Sequence, residues 1–408
     1  MGAFTNITSK TFSSLKIRNY RLYFFGQTVS YIGTWMQVIG LSWLVLKLTN
    51  SGTQLGLVVA AQFLPVLLIG PVIGIVADRY DKRKIVFITQ TLFAILALTL
   101  GLLVSFGLIK LWMIYCIAAG TGFLAALDSP TRQTFVYEMV GPEHLSNAIS
   151  LNSTLYNLSR IVGPAIAGIL IVTVGLAPGF YINAASFVAL LIALKLMNVS
   201  ELHKNSALEN MKGQLTDGLK YIASEPLLRD TLFFMAILGI FIYEFTVSVP
   251  LLAQYTFHGG AQIYAALTSA MGIGAVLGGL FAASRKNPTI SYLLWAISAL
   301  GIAMFATALS SNLIFGLISM ALIGFTSTNY TSRSNVLLQL NSKPQMRGRV
   351  LALWNVVLVG STPIGGPIIG YISQQFNPRW GFALGGFSAV VVLIYGLLRM
   401  KKTSAKVN

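Results

Sequence analysis

Cysteine, histidine and acidic residues are scarce in this chain. Its 408 residues include one cysteine, three histidines, and 11 Asp and Glu against 28 Lys and Arg. One cysteine excludes a disulfide framework and a cysteine-based metal site. Cys116 lies in an apolar stretch, where we expect it to act as a small packing residue. The histidines are scattered along the sequence, so we predict no metal site.

Phosphate-binding and catalytic motifs are also missing. The chain has no Gly-x4-Gly-Lys-Ser/Thr loop and no recognisable arrangement of a nucleophile and a base. We therefore predict that it is not an enzyme and that it needs no cofactor. Energy for any work that it does must come from a gradient, because its own ATP hydrolysis is excluded.

Charged residues of all kinds make up only 10% of the chain, whereas 55% of it is hydrophobic and the mean hydropathy is +0.74. A soluble domain cannot hide so much apolar surface. Apolar runs of about twenty residues recur with short gaps, and about twenty residues cross a hydrocarbon layer ~30 Å thick. The sequence therefore predicts an all-α membrane protein.

The apolar runs, separated by charged residues or by Gly, Pro and Asn, predict twelve membrane spans. These lie near residues 22–46, 53–77, 85–107, 111–133, 146–173, 178–197, 230–254, 262–284, 290–310, 312–335, 348–373 and 380–399.

The basic residues alternate from loop to loop. If the N-terminus is inside, the outer loops keep only Lys47, Lys110 and Arg379, whereas the inner side carries clusters of basic residues. These clusters are Lys10 to Arg21, Arg79 to Lys84, Lys204 to Arg229, Arg285 with Lys286, Lys343 to Arg349 and Arg399 to Lys402. This asymmetry follows the positive-inside rule and predicts that both termini are cytoplasmic. It also accounts for the net charge of +17. No basic stretch alternates with aromatic residues, so we do not expect nucleic acid as a partner.

One long polar connection divides the chain. Residues 198–228 separate six spans from six, which predicts an N-terminal bundle over 1–197, with a short amphipathic segment at its start, and a C-terminal bundle over 229–408. Within the connection, apolar residues recur at three- and four-residue steps, which favours an interfacial helix on the inner leaflet over a plain linker. They are Leu208, Met211, Leu215, Leu219 and Ile222.

The two halves are similar to each other. A shift of 202 residues superposes Pro142 on Pro344, Gly163 on Gly365 and Gly168 on Gly370. Such matches are expected of a parallel repeat of six helices, which is one construction used by secondary transporters.

The sharpest local motif lies at the inner end of the second span. Residues 74–84 read Gly-Ile-Val-Ala-Asp-Arg-Tyr-Asp-Lys-Arg-Lys. A glycine such as Gly74 lets a neighbouring helix come close. Asp78 places a carboxylate at the membrane edge, where it can face a helix N-terminus or a guanidinium. A basic anchor alone would account for the lysines but not for the Gly and Asp ahead of them.

This motif resembles the signature of the major facilitator superfamily, and the chain resembles the bacterial branch that contains enterobactin exporters and macrolide-efflux pumps. The further motifs are Arg18-Asn-Tyr-Arg-Leu-Tyr-Phe, Gly33-Thr-Trp-Met-Gln37, Asp128-x-Pro-x-Arg-Gln133 and Arg160-x2-Gly-Pro-Ala. The second half keeps Gly278 and Arg285 at the equivalent place but lacks the acid. The resemblance covers essentially the whole chain and implies the major facilitator fold, with twelve helices in two six-helix bundles.

The resemblance also implies a gate on the cytoplasmic side. Asp78 would dock on the start of the eleventh span, and Asp128 and Arg132 of the fourth span would support it. The alternative is that these charges only anchor helix ends and direct membrane insertion. The predicted gating residues are Gly74, Asp78, Arg79, Arg83, Asp128 and Arg132.

The fifth and eleventh spans carry paired Gly and Pro. The fifth is similar to the Gly-Pro signature of drug antiporters but departs from the full pattern. Proline removes a backbone hydrogen bond and glycine permits close contact, so we expect bending and packing at the interface between the halves, or small-residue packing alone. The residues predicted for this packing are Gly163, Pro164, Gly168, Gly365 and Pro367.

Arg160 and Glu244 are the charges that lie deepest in the predicted spans. Each lies roughly 20 Å along its helix from the inner end, at about 1.5 Å per residue. A charge at that depth is costly unless it faces a cavity or a partner. They could pair across the halves, or Glu244 could take up and release a coupling proton.

By the resemblance, the first, fourth, seventh and tenth spans supply the cavity walls. Aromatic surfaces with few polar groups suit a bulky amphipathic molecule, although each such residue alone is as well explained by packing. The cavity candidates are Gln27, Tyr31, Trp35, Gln37, Thr121, Tyr243, Asn329 and Tyr330.

We therefore expect a monomeric, multi-pass secondary transporter of the bacterial cytoplasmic membrane. Its partners would be the lipid bilayer, a small-molecule substrate and protons. The first hypothesis is proton-coupled export of a siderophore or drug-like molecule by alternating access. The alternatives are a lipid or lysolipid transporter of the same fold and a membrane sensor without transport.

Overall fold

The computed structural model describes the backbone of residues 12–77, 80–203, 214–285 and 288–407, and the side chains of these residues except 71–77, 214–216 and 401–407. Among the described residues every regular element is a helix, and there is no β-strand. Asp78, Arg79, Leu208 and Met211 lie outside the described residues.

The described residues of the first half form five helices. A 3-10 turn, Ser13–Lys16, precedes them. They are α1 (Arg18–Thr49), α2 (Gly52–Ala77), α3 (Lys82–Ser105), α4 (Leu111–Thr173) and α5 (Ala177–Lys195).

Nine further helices follow in the described residues, after a short 3-10 turn at Val199–Glu201, and the first of them lies within the connection. They are α6 (Gln214–Ser224), α7 (Pro226–Phe241), α8 (Phe245–Leu251), α9 (Ala261–Ser284), α10 (Ile290–Ala308), α11 (Leu313–Leu340), α12 (Arg347–Gly360), α13 (Thr362–Gln375) and α14 (Pro378–Val407). A π-helical turn, Leu252–Thr256, extends α8.

Within the described residues, 11 helical segments are long and apolar enough to cross a membrane. One of them, α4, has 63 residues, twice the length of a span, and it is kinked at Gly141. The kink separates the predicted fourth span from the fifth, so the predicted pattern of twelve spans is confirmed. The seventh and eleventh spans are each assembled from two helices, α7 with α8 and α12 with α13.

The kink in α4 depends on glycine. Gly141 has φ +66°, a left-handed conformation in which a Cβ is strained. Pro142 follows it and lacks the N–H that a continuous helix would use. His203 covers the kink, and its backbone N–H donates to the Glu138 carbonyl at 2.8 Å. The end of the first half is therefore tied to the point where two spans meet.

The described residues group into two compact units. The first contains the residues up to Leu41 and those from Leu64 to His203, and the second contains Ser42–Phe63 and the residues from Gln214 onwards. The first unit has a core of buried residues that includes Tyr20, Tyr23 and Phe135. In the second unit α9 crosses α11 closely, because Gly274 and Gly278 of α9 lie against backbone carbonyls of α11.

The described part of the connection forms a helix that packs on α12. Gly218 of α6 lies against Arg349 and Leu353, where an added Cβ would be 3.2 Å from each side chain. Ile222 is buried, and Asp217 accepts from Arg349 Nη1 at 3.3 Å. Part of this helix's surface therefore faces protein.

Candidate functional site

A buried ion pair lies in the first unit, on the part of α4 that precedes the kink. Arg132 Nε lies 2.5 Å from Asp128 Oδ2, and the two side chains are 13% and 8% exposed. Four residues separate them, which places both on one face of the helix. Two predicted gating residues therefore contact each other directly.

The second oxygen of Asp128 is held by α3. Thr89 Oγ1 donates to Asp128 Oδ1 at 2.5 Å, and Gln90 Nε2 donates to the same oxygen at 3.0 Å. Both partners are fully buried. The carboxylate thus has donors on both oxygens, which is the condition for keeping a charge out of water.

The guanidinium of Arg132 reaches α1 on its other side. Its Nη1 donates to Gln27 Oε1, and its Cζ lies 5.9 Å from the centre of the Tyr31 ring. The cluster therefore ties α1, α3 and α4 together. It brings together Gln27, Tyr31, Asp128 and Arg132, all of which the sequence singled out. It also contains Thr89 and Gln90, which the prediction missed although they are polar residues inside an apolar span.

The remaining gating candidates lie at the start of α3. Asp81 caps α3 and accepts from the backbone N–H of Lys84 at 3.1 Å. Arg83 Nε donates to the Leu194 carbonyl at 2.8 Å, at the end of α5, where free carbonyls favour a cation. Gly74 lies in the last turn of α2. A gating role for Arg83 and Gly74 stays a prediction.

Arg160 lies beside an aromatic cluster in the first unit. Its Cζ is 5.2 Å from the centre of the Trp35 ring. Tyr156, one turn earlier on α4, meets Trp35 and Tyr31 with ring centres 5.8 and 5.5 Å apart. A Cβ on Gly163 would lie 2.6 Å from Trp35 Cβ, so α1 and α4 cross at this glycine.

The other candidates of the first unit make contacts within it. Gln37 accepts from Asn183 Nδ2 at 2.8 Å, which joins α1 to α5. Thr121 donates to the Ile117 carbonyl of its own helix at 2.8 Å. Pro164 and Gly168 are buried on α4. Their roles in a cavity or in packing between halves stay predictions.

In the second unit Glu244 lies at the break between α7 and α8. It is 2% exposed, and its Oε1 has no hydrogen-bond partner among the described residues. Thr362 is the polar side chain within hydrogen-bonding reach of the carboxyl. None of the four ion pairs between described residues includes Glu244. It is thus a buried carboxyl without a positive partner among them.

The carboxyl of Glu244 occupies room left by two glycines of α13. A Cβ on Gly365 would lie 2.9 Å from Glu244 Oε1, and one on Gly366 would lie 3.5 Å from Oε2. Gly366 also packs against the backbone of Gly56 on α2. Pro367 is half-buried and follows directly in α13. The glycines therefore let Glu244, α2 and α13 meet at one place.

The polar candidates of α11, Asn329 and Tyr330, lie within about one helical turn of Arg333, an arginine that the sequence prediction missed. Tyr292 Oη donates to Asn329 Oδ1 at 2.9 Å, and Arg333 Cζ lies 5.2 Å from the Tyr292 ring centre. Tyr330 is fully buried. Tyr243 donates to the Ser327 carbonyl at 3.1 Å. The recurrence of Arg in the second half, 201 residues after Arg132, is the signal that could have identified Arg333.

Comparison with known proteins fits this architecture. The family described as transmembrane secretion effector, a branch of the major facilitator superfamily, matches residues 9–407. The chain belongs to this family. No group of three His, Cys, Asp or Glu within its described residues could hold a metal ion.

The relatives and solved structures agree with the family. The chain is 25% identical over 400 residues to the Staphyloferrin A transporter of Staphylococcus aureus (strain NCTC 8325 / PS 47), covering 95% of this chain and 98% of that protein. It is 27% identical over 387 residues to the Enterobactin exporter EntS of Shigella flexneri, covering 93% and 91%. The crystal structure of the nucleoside transporter NupG has a TM-score of 0.75 at 15% identity, covering 95% and 99%.

The predicted fold class and superfamily are thus confirmed. The protein is a multi-pass membrane transporter with the major facilitator fold, and its family takes small-molecule substrates. The names of the curated relatives do not favour a lipid transporter or a sensor without transport.

Proposed function

We propose that this transporter exports a siderophore-like small molecule across the bacterial cytoplasmic membrane by alternating access, driven by protons, with both termini in the cytoplasm. The named relatives, which match more than nine-tenths of this chain, support the substrate class. The buried carboxyl of Glu244, without a positive partner in the described residues, is the observation that carries the proton coupling.

A buried carboxylate without a counter-ion is costly at membrane depth. Protonation removes the cost, because the neutral acid needs only hydrogen bonds. Glu244 lies at a break in the seventh span and against two glycines of α13. In our proposal it is protonated while these helices pack around it and releases its proton when they separate.

The aromatic cluster of the first unit supports a bulky substrate with rings or extended apolar parts. Tyr156 meets both Tyr31 and Trp35 edge to face, and Tyr156 is 43% exposed. Arg160 adds a positive charge beside Trp35. Such a surface combines large apolar area with a polar group that orients the ligand.

The ion pair of Asp128 and Arg132 supports the cytoplasmic gate in this proposal. It fixes α4 against α1 and α3 through Gln27, Thr89 and Gln90. A gate needs a rigid surface on which Asp78 and Arg79 can act. The cluster makes α3, the helix that follows these two residues in sequence, part of such a surface.

Efflux from proteoliposomes tests the proposal. Proteoliposomes in which the cytoplasmic face of the transporter faces the lumen are loaded with iron-free enterobactin, staphyloferrin A or a macrolide. Efflux is measured with and without an imposed proton gradient, while the internal pH is followed with a dye. We expect substrate movement coupled to proton movement in the opposite direction. Glu244→Gln should remove the coupling, whereas Glu143→Gln, which changes an exposed acid of α4, should not.

Two results would contradict the proposal. Substrate movement with equal proton coupling in Glu244→Gln would remove Glu244 from the mechanism. Movement of none of the siderophores, or movement that ignores the direction of the proton gradient, would reject proton-coupled siderophore export itself.

A further inference from the structure

Arg333 is a buried cation that has no counter-ion among the described residues of the second unit. It is 5% exposed on α11, and its Nε has no hydrogen-bond partner among the described residues. None of the four ion pairs between described residues includes it. The Tyr292 ring lies 5.2 Å away, and a ring face offsets only a small part of the cost of burying a guanidinium.

The first half shows which partner the arginine lacks. Asn329 and Arg333 lie 201 residues after Asp128 and Arg132 and occupy the corresponding positions of the second half. Thr89 of α3 donates to Asp128, and Tyr292 of α10 donates to Asn329. The helix turn, the arginine and the hydroxyl donor are thus repeated, whereas the carboxylate is replaced by a neutral amide.

The helices that pack most extensively on α11 do not supply the missing acid. Among the described residues these are α7, α9, α10 and α12. Their sequences contain one acidic residue, Asp230 of α7. Asp230 Oδ1 already lies 3.3 Å from Arg229 Nε, and its Oδ2 lies 3.9 Å from Arg399 Nε. The positive charge of Arg333 is therefore left for an anion from outside these helices.

Two further donors lie within the same turn of α11. Tyr292 occupies Asn329 Oδ1, which leaves the amide Nδ2 as a buried donor without a partner among the described residues. The hydroxyl of Tyr330 is also buried without a partner there. Unpaired buried donors are costly, and an acceptor that enters the site recovers that cost.

We propose that Arg333, Asn329 and Tyr330 form a binding site for a carboxylate group of the transported molecule. This inference rests on the proposed function for the identity of the ligand as substrate. A guanidinium binds a carboxylate through two parallel N–H donors, which distinguishes the carboxylate from a neutral ester or amide. The site selects transported molecules that carry an acid, and neutral analogues bind more weakly.

Thermal melting of the detergent-solubilised protein tests the site without requiring transport. The probe is citrate, and triethyl citrate, which has the same skeleton with neutral esters, is the control ligand. We expect citrate to raise the melting temperature of the wild type and triethyl citrate not to do so. Arg333→Gln should weaken citrate binding about 10-fold or more, as expected for loss of a charge-assisted hydrogen bond. Arg333→Lys should retain part of the binding.

A second variant tests the site while keeping Arg333 in place. Asn329→Asp copies the first half and supplies an internal carboxylate to Arg333. It should melt at a higher temperature than the wild type without ligand and should lose its response to citrate. Arg21→Gln, which changes an exposed arginine of α1, should respond to citrate like the wild type.

Absence of a citrate response in the wild type would overturn the carboxylate site. So would a response of the same size in Arg333→Gln and Asn329→Asp, because citrate would then bind elsewhere. The outcome of the proteoliposome assay is independent of the outcome of the citrate experiment. A protein that binds citrate through Arg333 but exports no siderophore would support the anion site and contradict the proposed export.

Discussion

Arg132 contacts Asp128 at 2.5 Å across one turn of α4, inside a cluster in which each oxygen of the carboxylate has a donor. In this arrangement the stability of the fold depends on both charges being present together. Removing one partner of a buried pair leaves the other charge uncompensated, which is strongly destabilising, whereas removing both is much less harmful.

Asp128→Asn should therefore lower the free energy of unfolding by about 3–5 kcal/mol, because Arg132 stays buried without its counter-ion. The double variant Asp128→Asn with Arg132→Gln should recover more than half of that loss. Unfolding by SDS titration in mixed micelles measures both. A double variant as unstable as the single one would show that the pair contributes through its hydrogen bonds to Thr89 and Gln90 and not through its charges.

The contact between α2 and α13 gives a second prediction. A Cβ on Gly56 would meet the carbonyl of Gly366, which is backbone and cannot rotate away. Gly56→Ala should therefore destabilise the second unit by about 1–3 kcal/mol, the usual cost of overpacking. The melting temperature of the purified protein measures the loss.

Gly279→Ala is the matched control for Gly56→Ala. Gly279 also lies in a membrane helix, but its nearest neighbour to an added Cβ is Thr328 Cγ2 at 3.7 Å, an ordinary contact. It should be neutral. Equal losses in the two variants would attribute the effect to helix glycine in general and not to the crossing of α2 with α13.

The fold was predictable from sequence because lipid imposes length and apolarity on every span. The positions of 11 helical segments agree with the runs of apolar residues, and the bend of α4 at Gly141 falls in the predicted gap between 133 and 146. The break at Glu244 was not predicted, whereas bending of the eleventh span, which is broken at Ser361, was expected from its Gly and Pro residues. Hydropathy does not change where an apolar span bends, so it carries no signal for the break at Glu244.

The candidate site was predictable only where charge made residues conspicuous. Asp128, Arg132 and Glu244 stood out as charges in apolar spans. Thr89 and Gln90 did not, because a neutral hydroxyl or amide in a span has many structural explanations. Arg333 was overlooked because it lies near the predicted inner end of its span, where a basic residue is usually an anchor. Only the burial of Arg333 and the lack of a partner for its Nε among the described residues distinguish it from such an anchor.

The kink of α4 gives a third prediction. Gly141→Ala should lower the free energy of unfolding by about 1–2 kcal/mol, because its φ of +66° is strained for any residue with a Cβ. A Cβ would also lie 3.1 Å from His203 Nε2. SDS titration measures the change. Gly179→Ala on α5 is the control, since an added Cβ there has nothing within 4 Å, and alanine should stabilise that helix. A loss of equal size in Gly179→Ala would reject the explanation from backbone strain.

The docking of α6 on α12 gives the last prediction. It distinguishes the contribution of an ion pair to this docking from the contribution of close packing. Asp217 is 53% exposed in its pair with Arg349, so Asp217→Asn should change stability by less than about 1 kcal/mol. Gly218→Leu should displace α6, because the larger side chain meets Arg349 and Leu353.

Hydrogen–deuterium exchange of the amides in residues 217–224 measures this displacement. Exchange should become at least about 10-fold faster in Gly218→Leu, since 1.4 kcal/mol of lost packing corresponds to a factor of 10. Leu219→Ala, which changes a side chain that is 53% exposed, should leave exchange unchanged. If Asp217→Asn accelerates exchange as much as Gly218→Leu, the helix is held by charge, and the close fit at Gly218 is incidental.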